Sequence, residues 1–119
     1  MDTRPKTIIC DIDGTLIVHN SPNIACNPNT SMVILPGTIE KFVEWDIKGY
    51  NIILLTGRKE SMRQITEKQL SELGIFYDQL VMGVGGGARY LINDCKTNGA
   101  EYAFAINLER NKGIANISI

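Results

Sequence analysis

Apolar residues are grouped along this chain into short runs, which are separated by polar or helix-like stretches. Three of these runs, at residues 7–10, 51–56 and 79–82, have the length of a strand and are too short for a buried helix. Continuous apolar runs are typical of strands that are covered on both faces, as in a parallel sheet between helices. The pattern therefore predicts an α/β fold, a single Rossmann-like domain of three layers around a central, mainly parallel sheet.

Two helices are predicted between these strands. The first begins near Pro36 and ends near Gly49, because proline favours the first helical turn and glycine the C-terminal cap. Trp45 is expected to pack at the edge of this helix. The second helix follows residue 58 and ends at Gly74. The apolar stripe of the first helix has helical spacing and consists of Ile39, Phe42, Val43 and Ile47.

The remaining segments are predicted from their residue types. Residues 18–31 are rich in asparagine, proline and serine, which indicates a flap, and its flanks at 16–18 and 32–34 are expected to pair as a small hairpin. Residues 83–87 are mostly glycine and indicate a flexible connection. Two further strands and a polar loop complete the prediction, at residues 89–94, 101–106 and 107–111.

The composition of the chain mainly excludes certain classes of partner and site. The 119 residues are 44% hydrophobic and carry a net charge of −1, which argues against a nucleic-acid partner bound through a basic field. No apolar run approaches the length of a membrane span, so no membrane partner is expected. Three cysteines and a single histidine disfavour a zinc site or a disulfide framework and favour a reducing, cytoplasmic location.

Polar side chains of related chemistry follow three of the predicted strands. Asp11 and Asp13 follow the first strand, Thr56 ends the second, and Asp94 ends the fourth. Parallel strands with right-handed crossovers bring their carboxyl ends to one edge of the sheet, where ligands bind. Carboxylates at that edge suit Mg²⁺, which proteins usually hold through one or two carboxylates and a substrate phosphate. The combination predicts a metal-dependent site for phosphoryl transfer.

Three stretches resemble motifs of the haloacid dehalogenase (HAD) superfamily of phosphohydrolases. Residues 11–16 (DIDGTL), 55–58 (LTGR) and 92–94 (IND) are similar to its first, second and fourth motifs, in that order along the chain. The compact form resembles small capless phosphatases associated with capsule and lipopolysaccharide biosynthesis. The resemblance implies one HAD-like domain over residues 1–119, with no cap domain, that acts as a Mg²⁺-dependent phosphatase.

The resemblance also implies a role for each motif residue. Asp11 would attack phosphorus as the nucleophile, and Asp13 would act first as general acid and then as general base. Mg²⁺ would be held by Asp11, by the backbone carbonyl of Asp13 and by Asp94. The groups that would hydrogen-bond the phosphate oxygens are Thr56 and the backbone amides near Gly14, Thr15 and Gly57.

Two positions depart from the superfamily pattern. Its fourth motif often has paired acids, whereas this chain has Asn93 before Asp94, which implies weaker Mg²⁺ binding. The cation of the third motif, which holds nucleophile and phosphate together, is not identified by spacing. Lys96 and Arg89 flank the fourth motif and are the candidates, with Lys96 preferred because it lies at the predicted active edge. The alternatives are Arg58 and Lys59.

The resemblance defines the substrate and the oligomeric state less closely than it defines the site residues. A sugar phosphate or a related small metabolite is expected, with the flap and residues 107–111 lining an open entrance that a homo-oligomer would close. The alternatives are a response-regulator receiver domain and a non-catalytic protein that binds phosphorylated ligands. A receiver domain does not normally carry the DIDGT sequence on its first strand, and the presence of both Asp11 and Asp13 argues against a non-catalytic protein.

Overall fold

The computed structural model describes residues 2–119 and contains one parallel sheet of three strands. The strands are β1 (Thr7–Asp11), β2 (Asn51–Leu55) and β3 (Gln79–Val81), and their order in the sheet is their order in the chain. Asp11 is paired with Leu55 and Leu55 with Val81, so the three carboxyl ends meet at one edge. The first three predicted strands are therefore confirmed.

The predicted helices are also present. They are α2 (Thr38–Ile47) and α3 (Arg63–Glu72), with a short helix α1 (Pro22–Ala25) inside the flap and a 3₁₀ turn (Glu60–Met62) before α3. The hairpin expected around the flap is reduced to an antiparallel bridge between Ile17 and Ile34. The flap is thus joined to the rest of the fold at its base and by α1.

The core lies between one face of the sheet and the inner sides of α2 and α3. Alternate strand residues contribute to it, together with Phe42 and Trp45 of α2 and Leu70 of α3. The strand residues in this cluster are Ile8, Ile52, Leu54 and Leu80. Burial of these side chains fixes both helices on the same face and so fixes the loops that follow β1 and β2.

Helix α2 is rotated relative to the predicted orientation. Phe42 is buried as expected, but Trp45 is only 1% exposed, whereas Ile47 at the end of the predicted stripe is 80% exposed. Thr38 is also buried, and its hydroxyl donates a hydrogen bond of 2.9 Å to the backbone carbonyl of Leu16. The placement of Trp45 at the helix edge is wrong, because an indole has more apolar surface to bury than an isoleucine.

The opposite face of the sheet is only partly covered. Ile9 and Val81 alternate with the core residues on their strands and remain 49% and 39% exposed. A groove of about 780 Å³ lies between β1 and the C-terminal part of the chain, lined by residues of both. β1 pairs with β2 alone, so its outer edge has no strand partner among residues 2–119.

The strands predicted at residues 89–94 and 101–106 are not formed, and that prediction is wrong. A bridge between Cys95 and Glu101 turns this part of the chain back on itself beside the groove. The side chain of Ile92 is 93% exposed. Apolar composition alone therefore does not establish a strand here, since a strand also requires a neighbour with free backbone groups.

The C-terminal tail is fastened to the core by Ile114. Its side chain is 1% exposed, and its backbone N–H donates a hydrogen bond of 3.0 Å to the carbonyl of Pro36. A Cβ on Gly113 would lie 2.3 Å from the same carbonyl oxygen, and a Cβ on Gly37 would lie 2.4 Å from the backbone of Ala115. Two glycines thus permit the tail to pass in direct contact with the start of α2.

These elements confirm the predicted class, a Rossmann-like α/β domain with a parallel sheet, and no cap domain lies within residues 2–119. The regular elements of residues 2–119 form two layers, which are the sheet and the helices on its core face. None of the helices in this part of the chain has the length and apolar character that crossing a membrane requires.

Candidate active site

The two carboxylates of the first motif stand at the carboxyl edge of the sheet. Asp11 is the last residue of β1, and Asp13 follows in a turn that depends on Gly14, which has a φ angle of 85°. The side chains of both acids are partly exposed. The edge position gives a ligand access to both carboxylates.

The backbone amides of this turn differ in their availability. The N–H of Gly14 donates to the carbonyl of Ile17 at 2.7 Å, and that of Thr15 donates to the carbonyl of Ile12 at 3.2 Å. These two predicted phosphate donors are therefore engaged within the turn. The amides of Asp13 and Gly57 have no hydrogen-bond acceptor within residues 2–119 and are the donors that the turn leaves for a ligand.

Thr56 lies next to this turn because β2 is the neighbour of β1. Its hydroxyl oxygen accepts a hydrogen bond of 3.1 Å from the backbone N–H of Arg58 and keeps its own hydrogen for another partner. The glycine tract (residues 83–87) begins beside Thr56. The backbone N–H of Gly83 donates to the carbonyl of Arg58, and that of Val84 donates to the carbonyl of Thr56. The start of the tract is therefore hydrogen-bonded to the backbone of the second motif.

Arg58 forms a bidentate ion pair with the carboxylate of Asp13. Its Nε lies 2.9 Å from Oδ2 of Asp13 and its Nη2 lies 2.8 Å from Oδ1. Sequence patterns named Arg58 only as an alternative for the third motif, beside the nucleophile. The structure places it on the second carboxylate instead.

Arg89 is the basic residue that the structure brings to Asp11. Its Nη1 lies 3.3 Å from Oδ1 of Asp11, and both side chains are partly exposed, so a phosphate can compete for this arginine. Lys96, the preferred candidate, is not brought to the acids. Its ammonium group lies 4.5 Å from the centre of the Tyr102 ring, because the turn at residues 95–101 carries it to the groove beside β1.

The predicted metal ligands are only partly brought together. Within residues 2–119 no group of three or more His, Cys, Asp or Glu side chains is arranged to hold a metal ion, so Asp94 does not join Asp11 and Asp13. The displacement follows from the missing strand at residues 89–94. The Asp11 carboxylate and the backbone carbonyl of Asp13 are oxygen ligands of the kind that Mg²⁺ takes, and Mg²⁺ commonly completes its coordination with waters and substrate phosphate.

Cys10, next to the nucleophile candidate, has the properties of a core residue. Burial, with a smaller contribution from the charge of Asp11, raises the pKa of its thiol to about 12. The thiol is therefore protonated at neutral pH and is not a second nucleophile, since the thiolate is the reactive form.

Residues 110 and 111 contact the first motif directly, where sequence patterns placed only a loop at the entrance. The N–H of Asn111 donates to the carbonyl of Gly14 at 2.8 Å, and its side-chain oxygen accepts from the N–H of His19 at 2.8 Å. Arg110 packs over Gly14, with its Cγ 3.1 Å from the position of a Cβ there. Arg110 was not among the predicted site residues, because no motif or spacing connects it with residues 11–16.

The chain was compared with known proteins. No family model matches it, and no curated protein does so significantly. A chain of the Pnkp1/Rnl/Hen1 RNA repair complex is 33% identical over 66% of this chain and 25% of its own length, with a TM-score of 0.57. A chain from a second structure of the Pnkp1/Rnl/Hen1 complex is 31% identical over 72% and 30%, with a TM-score of 0.58. An MCSG target from Vibrio cholerae is 22% identical over 89% and 84%, with a TM-score of 0.52.

The sheet and the acid pair at its carboxyl edge define a Rossmann-like α/β protein with a carboxylate site. The first and second motifs and the similar structures narrow this class to one superfamily. The chain belongs to the haloacid dehalogenase superfamily. The Vibrio cholerae target shares the fold over most of both chains. The chain spans less than a third of the length of the two RNA-repair-complex chains that it matches.

Proposed function

We propose that the protein is a Mg²⁺-dependent phosphatase that hydrolyses a phosphate monoester through an aspartyl-phosphate. The observation that carries the proposal is the position of Asp11 and Asp13, two residues apart at the carboxyl edge of the sheet and beside Thr56 of the next strand. Arg89 and the free amides of Asp13 and Gly57 provide the positive charge and donors that a phosphate requires. Membership of the superfamily agrees with this chemistry.

The reaction has two balanced steps. A carboxylate oxygen of Asp11 forms a bond to phosphorus while the bond from phosphorus to the leaving oxygen breaks, and Asp13 gives its proton to that oxygen. Asp13 then takes a proton from water, whose oxygen bonds to phosphorus while the bond from phosphorus to Asp11 breaks, so that phosphate leaves and Asp11 is again a free carboxylate. Mg²⁺, when held by Asp11 and the backbone carbonyl of Asp13, would neutralise charge shared between carboxylate and phosphate.

The substrate has two candidates of different size. A sugar phosphate or another small metabolite would be enclosed by the flap or by a neighbouring subunit, since no cap domain covers the edge. A phosphorylated RNA end is favoured by the similarity to chains of an RNA repair complex and by Arg89 and Arg110 beside the first motif. We expect Mg²⁺-dependent phosphate release from a panel of sugar phosphates, nucleotides and RNA oligonucleotides with a terminal phosphate. No release from any of them would contradict the proposed function.

Metal dependence is expected to be complete. A chelator should abolish hydrolysis and added Mg²⁺ should restore it, whereas Ca²⁺ should restore little because it is larger and less strict in its geometry. The measurement is phosphate release in each metal condition. Full activity in chelator would exclude the metal-assisted mechanism.

Asp94→Asn tests whether the fourth motif reaches the ion during turnover. A higher Mg²⁺ concentration needed for activity in this variant would show that residues 89–94 move toward β1.

We also propose that the protein forms a homo-oligomer. Large apolar side chains are exposed on the outer side of α2 and along residues 90–106, and their burial between copies would be favourable. The most exposed of them are Ile47, Tyr90, Ile92 and Phe104. Light scattering at micromolar concentration measures the assembly, and a clean monomer would exclude it.

A further inference from the structure

We infer that Arg58 is the positioning residue of Asp13, the acid–base group of the proposed phosphatase reaction on which this inference rests. Asp13 must present one carboxyl oxygen first to the leaving group and then to water. A carboxylate on a turn rotates about its own bonds unless a partner fixes it. Arg58 supplies that partner through two parallel hydrogen bonds, of 2.9 Å and 2.8 Å, to the two oxygens of Asp13.

The guanidinium of Arg58 also donates hydrogen bonds to two side chains of α3. Its Nη1 donates to the hydroxyl of Thr66 at 3.0 Å and to the side-chain oxygen of Gln69 at 2.6 Å. All three nitrogens of the guanidinium are therefore bonded, and the residue is 8% exposed. A buried cation is stable only when its donors are satisfied, so this orientation is the one the surroundings allow.

Gln69 connects this arrangement to the flap. Its side-chain nitrogen donates to the backbone carbonyl of Ala25, the last residue of α1, at 3.0 Å. The amide can satisfy an arginine and a carbonyl at once only with its oxygen toward Arg58 and its nitrogen toward Ala25. Flap, α3 and the acid–base residue thus form one hydrogen-bonded chain of Ala25, Gln69, Arg58 and Asp13.

The predicted consequence is specific to the leaving group. Departure of an alkoxide needs a proton from Asp13, whereas departure of p-nitrophenolate needs little help, because it is a weak base. A mispositioned Asp13 therefore slows formation of the aspartyl-phosphate from an alkyl phosphate much more than from p-nitrophenyl phosphate. A loss of general stability would reduce kcat/KM for both esters alike.

The test compares Arg58→Lys with wild-type protein on these two esters. Lysine keeps the charge but lacks the fork that engages both oxygens. We expect kcat/KM for the alkyl phosphate to fall by about 10²-fold, within the usual range for general acid catalysis, and kcat/KM for p-nitrophenyl phosphate to fall by less than about tenfold. Arg63→Lys is the matched control, since Arg63 pairs with Glu60 and Glu67 on the surface, and it should leave both values unchanged.

A second variant covers the case in which Arg58→Lys does not fold. Gln69→Leu removes the acceptor behind Arg58 and the bond to Ala25 but keeps an apolar side chain of similar size in the buried position. It should shift the ratio of the two kcat/KM values in the same direction by a smaller factor. An unchanged ratio in the folded variants would overturn the positioning role while leaving the phosphatase intact. Failure of the wild-type protein to hydrolyse either ester would instead count against the proposed function.

Discussion

Asp11→Asn is expected to abolish hydrolysis of phosphate esters and to leave the fold intact. An amide oxygen is a poor nucleophile and does not form the acyl phosphate, so the first covalent step is lost. Asp11 is partly exposed at the end of β1 and pairs with the partly exposed Arg89, so its replacement removes little folding energy.

Phosphate release under saturating Mg²⁺ measures this effect, with thermal unfolding as the check on the fold. Trapping of labelled phosphate on the wild-type protein by rapid acid quench, and its absence from the variant, would identify the intermediate. Asp46→Asn, at an exposed acid of α2, is the matched control and should retain full activity. Near-normal turnover by Asp11→Asn would contradict the proposed mechanism.

Gly113→Ala is expected to cause a large loss of stability. A residue other than glycine at its φ angle of 85° costs about 1–2 kcal/mol. The added Cβ would also lie 2.3 Å from the carbonyl oxygen of Pro36, which forces the tail away and withdraws the buried Ile114. Loss of a buried isoleucine costs about 2–5 kcal/mol, so the total reaches at least about 3 kcal/mol.

Two other glycines separate the contributions to that loss. Gly99 has the same φ angle of 85° but open space around it, so Gly99→Ala measures backbone strain alone. Gly86 has open space and no positive φ angle, so Gly86→Ala should be nearly neutral. Chemical unfolding of the three variants compares their free energies of unfolding. A loss in Gly113→Ala no larger than that in Gly99→Ala would show that the tail does not depend on this close contact.

The sheet and the identity of the acid pair were predictable because their signals are local. Each of the first three strands is a short apolar run, and the first ends directly in Asp11 and Asp13. The orientation of α2 was less predictable. Its apolar residues occupy more than one side, and the choice of Trp45 over Ile47 for the core depends on the space between α2 and the sheet, which periodicity does not describe.

The partners of the basic residues were not predictable from spacing. Arg58 and Asp13 are far apart in the sequence, and their ion pair exists because Thr66 and Gln69 hold the guanidinium toward the first motif. The positions of Arg89 and Lys96 depended on a strand at residues 89–94 that does not form. Long-range contacts of this kind follow from the packed structure and leave no pattern in a single sequence.

The order of the strands in the sheet has a consequence for the way the chain folds. Because β1, β2 and β3 are neighbours in the chain order, each strand meets its partner after one crossover, and no strand has to enter between two that are already paired. A chain that emerges from the ribosome can therefore assemble its sheet progressively from the amino end. Insertion of Ile114 beside Pro36 attaches the C-terminal residues to the start of α2 and must follow, so closure of the core is the late event.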